Sequence, residues 1–346
     1  MKNILIIRLS SLGDIIHALP AFASLRKGYP NARITWVVEE SGKEILDLVS
    51  GIDRIIVART KGWNPLSGGF WRGLSQLRRE LKQNDLVAID FQGLLKSGFL
   101  CRLSGAKRRI GFHRNNLREP AASYFYTEHL EPVSEKGHVI KKNLELLRLV
   151  NIVEDSYSFP LSIPGDLTES MNTKLKDIGF RTGQRLIVLN VGAAWETKRW
   201  FPERWIELIG KIKKPDLFPL ILWGSDIEKH IADQVNRETG IPIVPPMTIK
   251  EVFALLQKTS ILVTGDTFAL QAACALDRPV VALFAPTNPD RNGPFNPLDK
   301  ITFHKTECSH CYKRQCPNPV CLESITPEEV AGLVDNILDN DERLRT

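Results

Sequence analysis

Asn3-Ile4-Leu5-Ile6-Ile7-Arg8-Leu9-Ser10-Ser11-Leu12-Gly13-Asp14-Ile15-Ile16-His17-Ala18-Leu19-Pro20 is the stretch whose reading decides the fold. Ile4–Arg8 is a β-branched apolar run of strand length, and Ile15–Lys27 is an amphipathic, helix-like segment. Between them lies a Ser/Gly turn, with a carboxylate where the helix begins. The alternation continues with strands at Arg33–Val38, Arg54–Val57 and Leu86–Asp90, and a helix at Trp71–Lys82. Strand, helix, strand in this rhythm predicts an α/β fold with a parallel, doubly wound sheet, its Val- and Ile-rich strands covered on both faces.

A proline-punctuated segment, Phe159-Pro160-Leu161-Ser162-Ile163-Pro164-Gly165, reads as a linker. A second series follows, with strands at Leu186–Asn190, Leu220–Leu222, Ile243–Val244, Ile261–Thr264 and Val280–Phe284. Helices are predicted at Pro202–Ile212, Ile227–Thr239, Ile249–Lys258 and Ala269–Ala275. Thr326-Pro327-Glu328-Glu329 starts a last helix with a cap, a first-turn proline and early acids. The expected organisation is a domain over 1–160, a second over 166–325, and a C-terminal helix and tail over 326–346. Two doubly wound domains facing across a cleft would place ligands at the carboxyl ends of both sheets.

The 346 residues, 43% hydrophobic and 25% charged, exclude a disordered or collagen-like chain. No apolar run reaches the ~20 residues of a membrane helix. The first residues read as a strand rather than a signal peptide, so a cytoplasmic protein is expected. Residues 1–165 carry 24 Lys and Arg against 16 Asp and Glu, while the remainder carries 22 against 24. Such asymmetry speaks of an anionic partner for the first half.

Asp14, at the mouth of a strand-to-helix turn, has the place to accept a proton from a substrate hydroxyl, or simply to cap the helix. Residue types alone leave both open. His17 reads as a packed or capping residue. Asn190-Val191-Gly192-Ala193-Ala194-Trp195-Glu196-Thr197-Lys198-Arg199-Trp200-Phe201-Pro202 again joins a strand to a helix, and a lysine there can neutralise a departing diphosphate. A solvated surface lysine is the alternative. Gly265-Asp266-Thr267 precedes another helix, where glycine allows close backbone approach and the helix start favours an anion.

Ser10-Ser11-Leu12-Gly13-Asp14-Ile15-Ile16-His17-Ala18-Leu19-Pro20 closely resembles the opening motif of the bacterial ADP-heptose:lipopolysaccharide heptosyltransferases, glycosyltransferase family 9. The likeness continues through Trp36-Val37-Val38-Glu39-Glu40, Asp90-Phe91-Gln92-Gly93-Leu94-Leu95-Lys96-Ser97 and Arg118-Glu119-Pro120-Ala121-Ala122-Ser123. Lys198-Arg199-Trp200, Trp223-Gly224 and Gly265-Asp266-Thr267 extend it, and the first-half motifs are most similar to heptosyltransferase I.

The resemblance implies a GT-B fold of two Rossmann-like domains, acceptor on the first and nucleotide-sugar on the second. It also implies inversion at the anomeric carbon and no cofactor or metal for chemistry. Carried over residue by residue, it makes Asp14 the general base and Lys198 the phosphate-binding lysine. Gly13, Ala193, Ala194, Thr197, Asp226, Gly265, Asp266, Thr267 and Gln271 become donor-binding candidates, and Ser11, Arg59, Lys61, Gln92 and Arg118 acceptor-binding candidates. Phe268 and Gln271 depart from the family's Gly and His, and Ala193 and Ala194 from its hydroxyl residues.

The implied reaction moves heptose from ADP-heptose to the Kdo region of lipid A in lipopolysaccharide inner-core synthesis. The expected partners are an ADP-sugar, Kdo-lipid A or a related anionic glycolipid, and the inner-membrane surface, where the enzyme would be peripheral; nucleic acid is not expected. A heptosyltransferase II-like or other nucleotide-sugar transferase is the nearest rival. A non-catalytic bilobal sugar-binding protein is the rival from another class, and the missing export signal counts against it.

Acid-free stretches from Arg54 to Arg79 and from Phe91 to Arg118 offer guanidinium groups suited to carboxylates and phosphates. Trp63, Phe70 and Trp71 are candidates for a membrane interface or for the core. Cys308, Cys311, Cys316 and Cys321 have near-metal spacing, so a structural zinc, an iron–sulfur cluster and plain thiols or a disulfide all stay open.

Overall fold

A computed structural model describes residues 1–60, 68–132, 137–154 and 157–344, without the side chains of 68–70. The chain divides into two compact units, Met1–Ser162 and Ile163–Thr346.

In the first unit β1 (Asn3–Ile7), α1 (Leu12–Gly28), β2 (Arg33–Val38), α2 (Glu40–Leu46), β3 (Arg54–Val57), α3 (Gly68–Leu81), β4 (Leu86–Asp90), α4 (Leu95–Leu103), β5 (Arg108–Gly111), β6 (Glu128–His129) and α5 (Val139–Leu146) follow in order. The strands are all parallel, in the order β3-β2-β1-β4-β5-β6. Ile4 to Ile7 of β1 are fully buried at its centre, as a strand covered on both faces requires. The order reverses between β1 and β4, so the loops leaving these two strands line the switch point where such sheets bind ligands.

The second unit runs α6 (Gly165–Asp177), β7 (Arg185–Asn190), α7 (Pro202–Ile212), β8 (Leu217–Leu222), α8 (Asp226–Thr239), α9 (Ile249–Lys258), β9 (Ile261–Gly265), α10 (Phe268–Ala275), β10 (Val280–Phe284), α11 (Pro289–Asn292), β11 (Lys300–Phe303), α12 (Val320–Glu323) and α13 (Pro327–Asn340). Its parallel sheet has the order β11-β10-β9-β7-β8, and here the reversal lies between β7 and β9. Trp200, Trp205, Leu208 and Ile212 pack with Val330, Val334 and Ile337 of α13, which joins the last helix to this core.

Some elements depart from the sequence reading. Ile243–Val244 makes one bridge, Ile221 to Ile243, because Pro242, Pro245 and Pro246 remove the donors a ladder needs. Arg108–Gly111, read only as basic, is β5: Ile110 and Gly111 are buried while the arginine heads find partners at the rim. The expected linker is pinned to the first unit by a Val49–Leu161 bridge, and α6 starts at Gly165.

Candidate active site

The first switch-point loop is fixed by its charges. Ser11 precedes α1, and Asp14 stands in the helix's first turn. Asp14 Oδ2 accepts from Arg8 Nη2 at 2.8 Å, Ser11 Oγ at 2.9 Å and Ser11 N at 3.3 Å. Arg8 is itself buried, and its Nη1 donates to the Phe91 carbonyl at 2.5 Å, tying the β1 loop to the β4 loop. Burial pushes the Asp14 carboxyl up, but the Arg8 guanidinium and then His17 and Ser11 outweigh it and hold it well below the usual carboxylate range. His17 Nδ1 stands 3.9 Å from Asp14 Oδ1. With 35% of its side chain exposed, the carboxylate is both ionised and reachable.

The acceptor-side candidates differ in what they touch. Ser11 serves Asp14 directly, while Gln92 Oε1 accepts from the Leu9 N–H at 2.7 Å and braces the loop from behind. Arg59 is exposed and paired with Glu40 at 3.1 Å. Arg118 is exposed and has no carboxylate partner among the described residues. Lys61 and Trp63 lie outside the described residues, as does the Phe70 side chain. Lys96, in the acid-free stretch from Phe91 to Arg118, reaches the buried Glu39 carboxylate with its Nζ at 2.7 Å, and Thr60 donates to the same carboxylate.

At the second unit's switch point, Lys198 and Asp266, 68 residues apart, form one pair. Lys198 Nζ stands 2.7 Å from Asp266 Oδ2, 3.2 Å from the Asp266 carbonyl and 4.4 Å from the centre of the Trp195 ring. Gly265 permits this approach, since a Cβ there would come within 2.9 Å of the Lys198 carbonyl. Asn190 Nδ2 donates to Thr264 Oγ1 at 2.8 Å and to Thr267 Oγ1 at 3.1 Å, and Thr267 caps α10. The loops after β7 and β9 are thereby held as one surface.

Other donor-side candidates are committed internally. Thr197 is buried and donates to the Lys313 carbonyl at 2.6 Å, while Gln271 Nε2 donates to the Asn292 carbonyl at 2.7 Å. Ala193 is buried, its carbonyl accepting from Arg199 Nε at 2.7 Å, whereas Ala194 is exposed. Gly13 sits half-buried in the first turn of α1, on the first unit. Asp226 is exposed at the start of α8. Glu228, two residues on, reaches back to the Gly224 N–H at 2.7 Å and fills the space beside Gly192, where a Cβ would come within 2.2 Å of it. The family resemblance points to Asp226; the direction of the first helical turn brings Glu228 to the loop.

Cys308, Cys311, Cys316 and Cys321 are free thiols, and among the described residues no three His, Cys, Asp or Glu side chains stand close enough to hold a metal ion.

Within the first unit an ionised carboxylate at the switch point suits removal of a proton, and within the second a lysine with a capped helix start suits an anion. Solved structures share this architecture. A glycosyltransferase family 9 protein from Veillonella parvula has a TM-score of 0.83 at 21% identity, covering 98% of each chain. The E. coli heptosyltransferase WaaC with ADP has a TM-score of 0.78 at 23% identity, over 96% of this chain and 99% of that one. The fold is therefore GT-B. Sequence then narrows the class. Residues 74–321 match glycosyltransferase family 9 (heptosyltransferase). The lipopolysaccharide heptosyltransferase 1 of Pseudomonas aeruginosa is 30% identical over 99% of this chain and 100% of its own length. The protein of that name from E. coli K12 is 27% identical over 83% of this chain and 89% of its own length. The chain belongs to glycosyltransferase family 9.

Proposed function

We propose that the protein transfers heptose from ADP-heptose to the Kdo region of lipid A, with inversion at the anomeric carbon. Relatives named lipopolysaccharide heptosyltransferase 1, at up to 30% identity over the full length, support this reading. So does structural likeness to a heptosyltransferase bound to ADP-2-deoxy-2-fluoro heptose.

The observation that carries the mechanism is the Arg8-paired, partly exposed carboxylate of Asp14. Asp14 takes the proton of the attacking acceptor hydroxyl as the new glycosidic bond forms and the bond from sugar to diphosphate breaks. Lys198, with backbone N–H groups of the loops after β7 and β9, meets the charge gathering on the departing ADP. Asp266, whose carboxylate holds Lys198, orients that ammonium and offers its other oxygen to a sugar hydroxyl. Glu228 takes the nucleoside-side role first sought in Asp226, because its carboxylate is the one at the Gly192 loop. Arg59 and Arg118 meet the acid and phosphate groups of the acceptor in this reading, and Lys61 remains a candidate from its sequence alone.

The first domain is the acceptor half and the second the nucleotide-sugar half in this reading. The chain works at the inner-membrane surface, which α3 approaches with exposed Trp71, Arg72, Arg78 and Arg79.

Purified protein incubated with ADP-heptose and Kdo-lipid A should release ADP and add one heptose to the acceptor, read by mass spectrometry. The same acceptor already carrying heptose should react poorly. Reaction only with the heptosylated acceptor would move the protein to the heptosyltransferase II reading, and reaction only with another nucleotide-sugar would replace the donor.

A further inference from the structure

The segment after β11, which carries the four clustered cysteines, crosses the carboxyl edge of the second sheet. Three hydrogen bonds fix it there. The Tyr312 N–H donates to the Pro286 carbonyl at 3.1 Å, the Asn288 N–H donates to Tyr312 Oη at 3.4 Å, and Thr197 Oγ1 donates to the Lys313 carbonyl at 2.6 Å. Residues 312 and 313 are thereby held against the loops after β10 and β7. The next side chain, Arg314, lies over the Trp195 indole with its guanidinium carbon 5.3 Å from the ring centre. Lys198 Nζ is 4.4 Å from that same ring.

Two cations thus share one indole within about 10 Å of each other, a separation at which salt screens most of their repulsion. Cation–π attraction holds the guanidinium on the ring that also carries the lysine. Lys198 is matched by Asp266, whereas Arg314 has no carboxylate partner among the described residues. A diphosphate carries more negative charge than one lysine, already paired with Asp266, can meet. A guanidinium fork held beside that lysine supplies the difference in the geometry phosphate oxygens prefer.

We propose that Arg314 is the second cation of the diphosphate site, delivered by the cysteine-bearing segment and oriented by Trp195. It closes on the phosphates of the nucleotide donor and shares with Lys198 the charge of the leaving group. This rests on the donor-side reading of Lys198 given above. Thr197 acquires a role from the same geometry: its buried hydroxyl anchors the segment rather than the ligand.

The test uses the full chain with Arg314→Ala and Arg314→Lys, titrated calorimetrically with ADP and with adenosine, alongside kcat and KM for ADP-heptose. Loss of one charge-assisted phosphate contact should weaken ADP binding by about tenfold in Arg314→Ala and leave adenosine binding within about twofold. Turnover should fall as well, Arg314→Lys should recover part of both losses, and the difference in ADP affinity should shrink as salt is raised. ADP affinity and kcat unchanged in Arg314→Ala would overturn the proposal. So would an equal loss of adenosine affinity, which marks a packing role. A wild-type protein that fails to bind ADP would overturn the donor-side reading along with it, and the two failures are separated by that control.

Discussion

The guanidinium of Arg8 touches the Phe91 carbonyl through one nitrogen and the Asp14 carboxylate through another, and both contacts are made from a buried side chain. Asp14 is therefore ionised before any substrate arrives, and its basicity is restrained until the acceptor hydroxyl enters its hydrogen-bond set. Arg8→Gln should release that restraint. The wild-type kcat/KM profile should show no acid limb from Asp14 between about pH 5 and 8, because its pKa lies below that window. With Arg8→Gln the carboxyl should rise by about 1–3 pH units, seen as an upward shift of its NMR titration below pH 5; an unshifted titration would remove Arg8 as the group that sets the charge of Asp14. At this scale the sequence named Asp14, Lys198 and Asp266 through its family motifs, while residue types alone left a helix cap or a surface lysine equally open. It was silent on partnerships. Arg8 reads as the end of a strand, the Lys198–Asp266 pair spans separate loops, and Glu228 reaches its loop only through the pitch of α8.

Elements were more legible than side chains. Arg33–Val38, Arg54–Val57, Leu86–Asp90 and Val280–Phe284 are strands with the predicted bounds, and Pro202–Ile212 and Ile249–Lys258 are the predicted helices. Apolar runs and caps mark these ends directly, and Thr326 indeed accepts from the Glu329 N–H ahead of α13. β5 escaped because two of its four residues are arginines, whose heads leave the sheet while the backbone pairs.

The end of the chain offers a prediction on this scale. Arg343 contacts Asp299 at 2.7 Å, Asp341 at 2.6 Å and Asp277 at 3.3 Å beside β11. Burial pushes Asp299 up to about 6, more than Arg343 pulls it down. The folded state then binds a proton that the unfolded chain, with a pKa near ~4, releases in the same window. Stability from this group rises as pH falls from about 6 to about 4 and is flat above. Thermal unfolding of wild type against Asp299→Asn should show wild type gaining up to about 1 kcal/mol per pH unit on acidification through that window. A difference independent of pH would contradict the assignment.

On the scale of the whole molecule, the basic excess of residues 1–165 belongs to the half proposed to meet an anionic glycolipid. No described helix is long and apolar enough to cross a membrane, so any attachment through α3 would be at the surface. Binding to vesicles of anionic phospholipid should exceed binding to zwitterionic ones and fall with salt. Replacing Arg72, Arg78 and Arg79 by Gln should weaken it by about a hundredfold, at ~1 kcal/mol per basic residue; equal binding to both vesicle types would sink the membrane reading.

Proton removal by a single carboxylate is the step from which the rest of the account follows. Steady-state turnover of Asp14→Asn with ADP-heptose and Kdo-lipid A, measured beside its affinity for ADP, tests that step. The account predicts a loss of about 10²–10⁴ in kcat with ADP affinity held within about twofold. Turnover comparable to wild type in a variant that still binds ADP would contradict it.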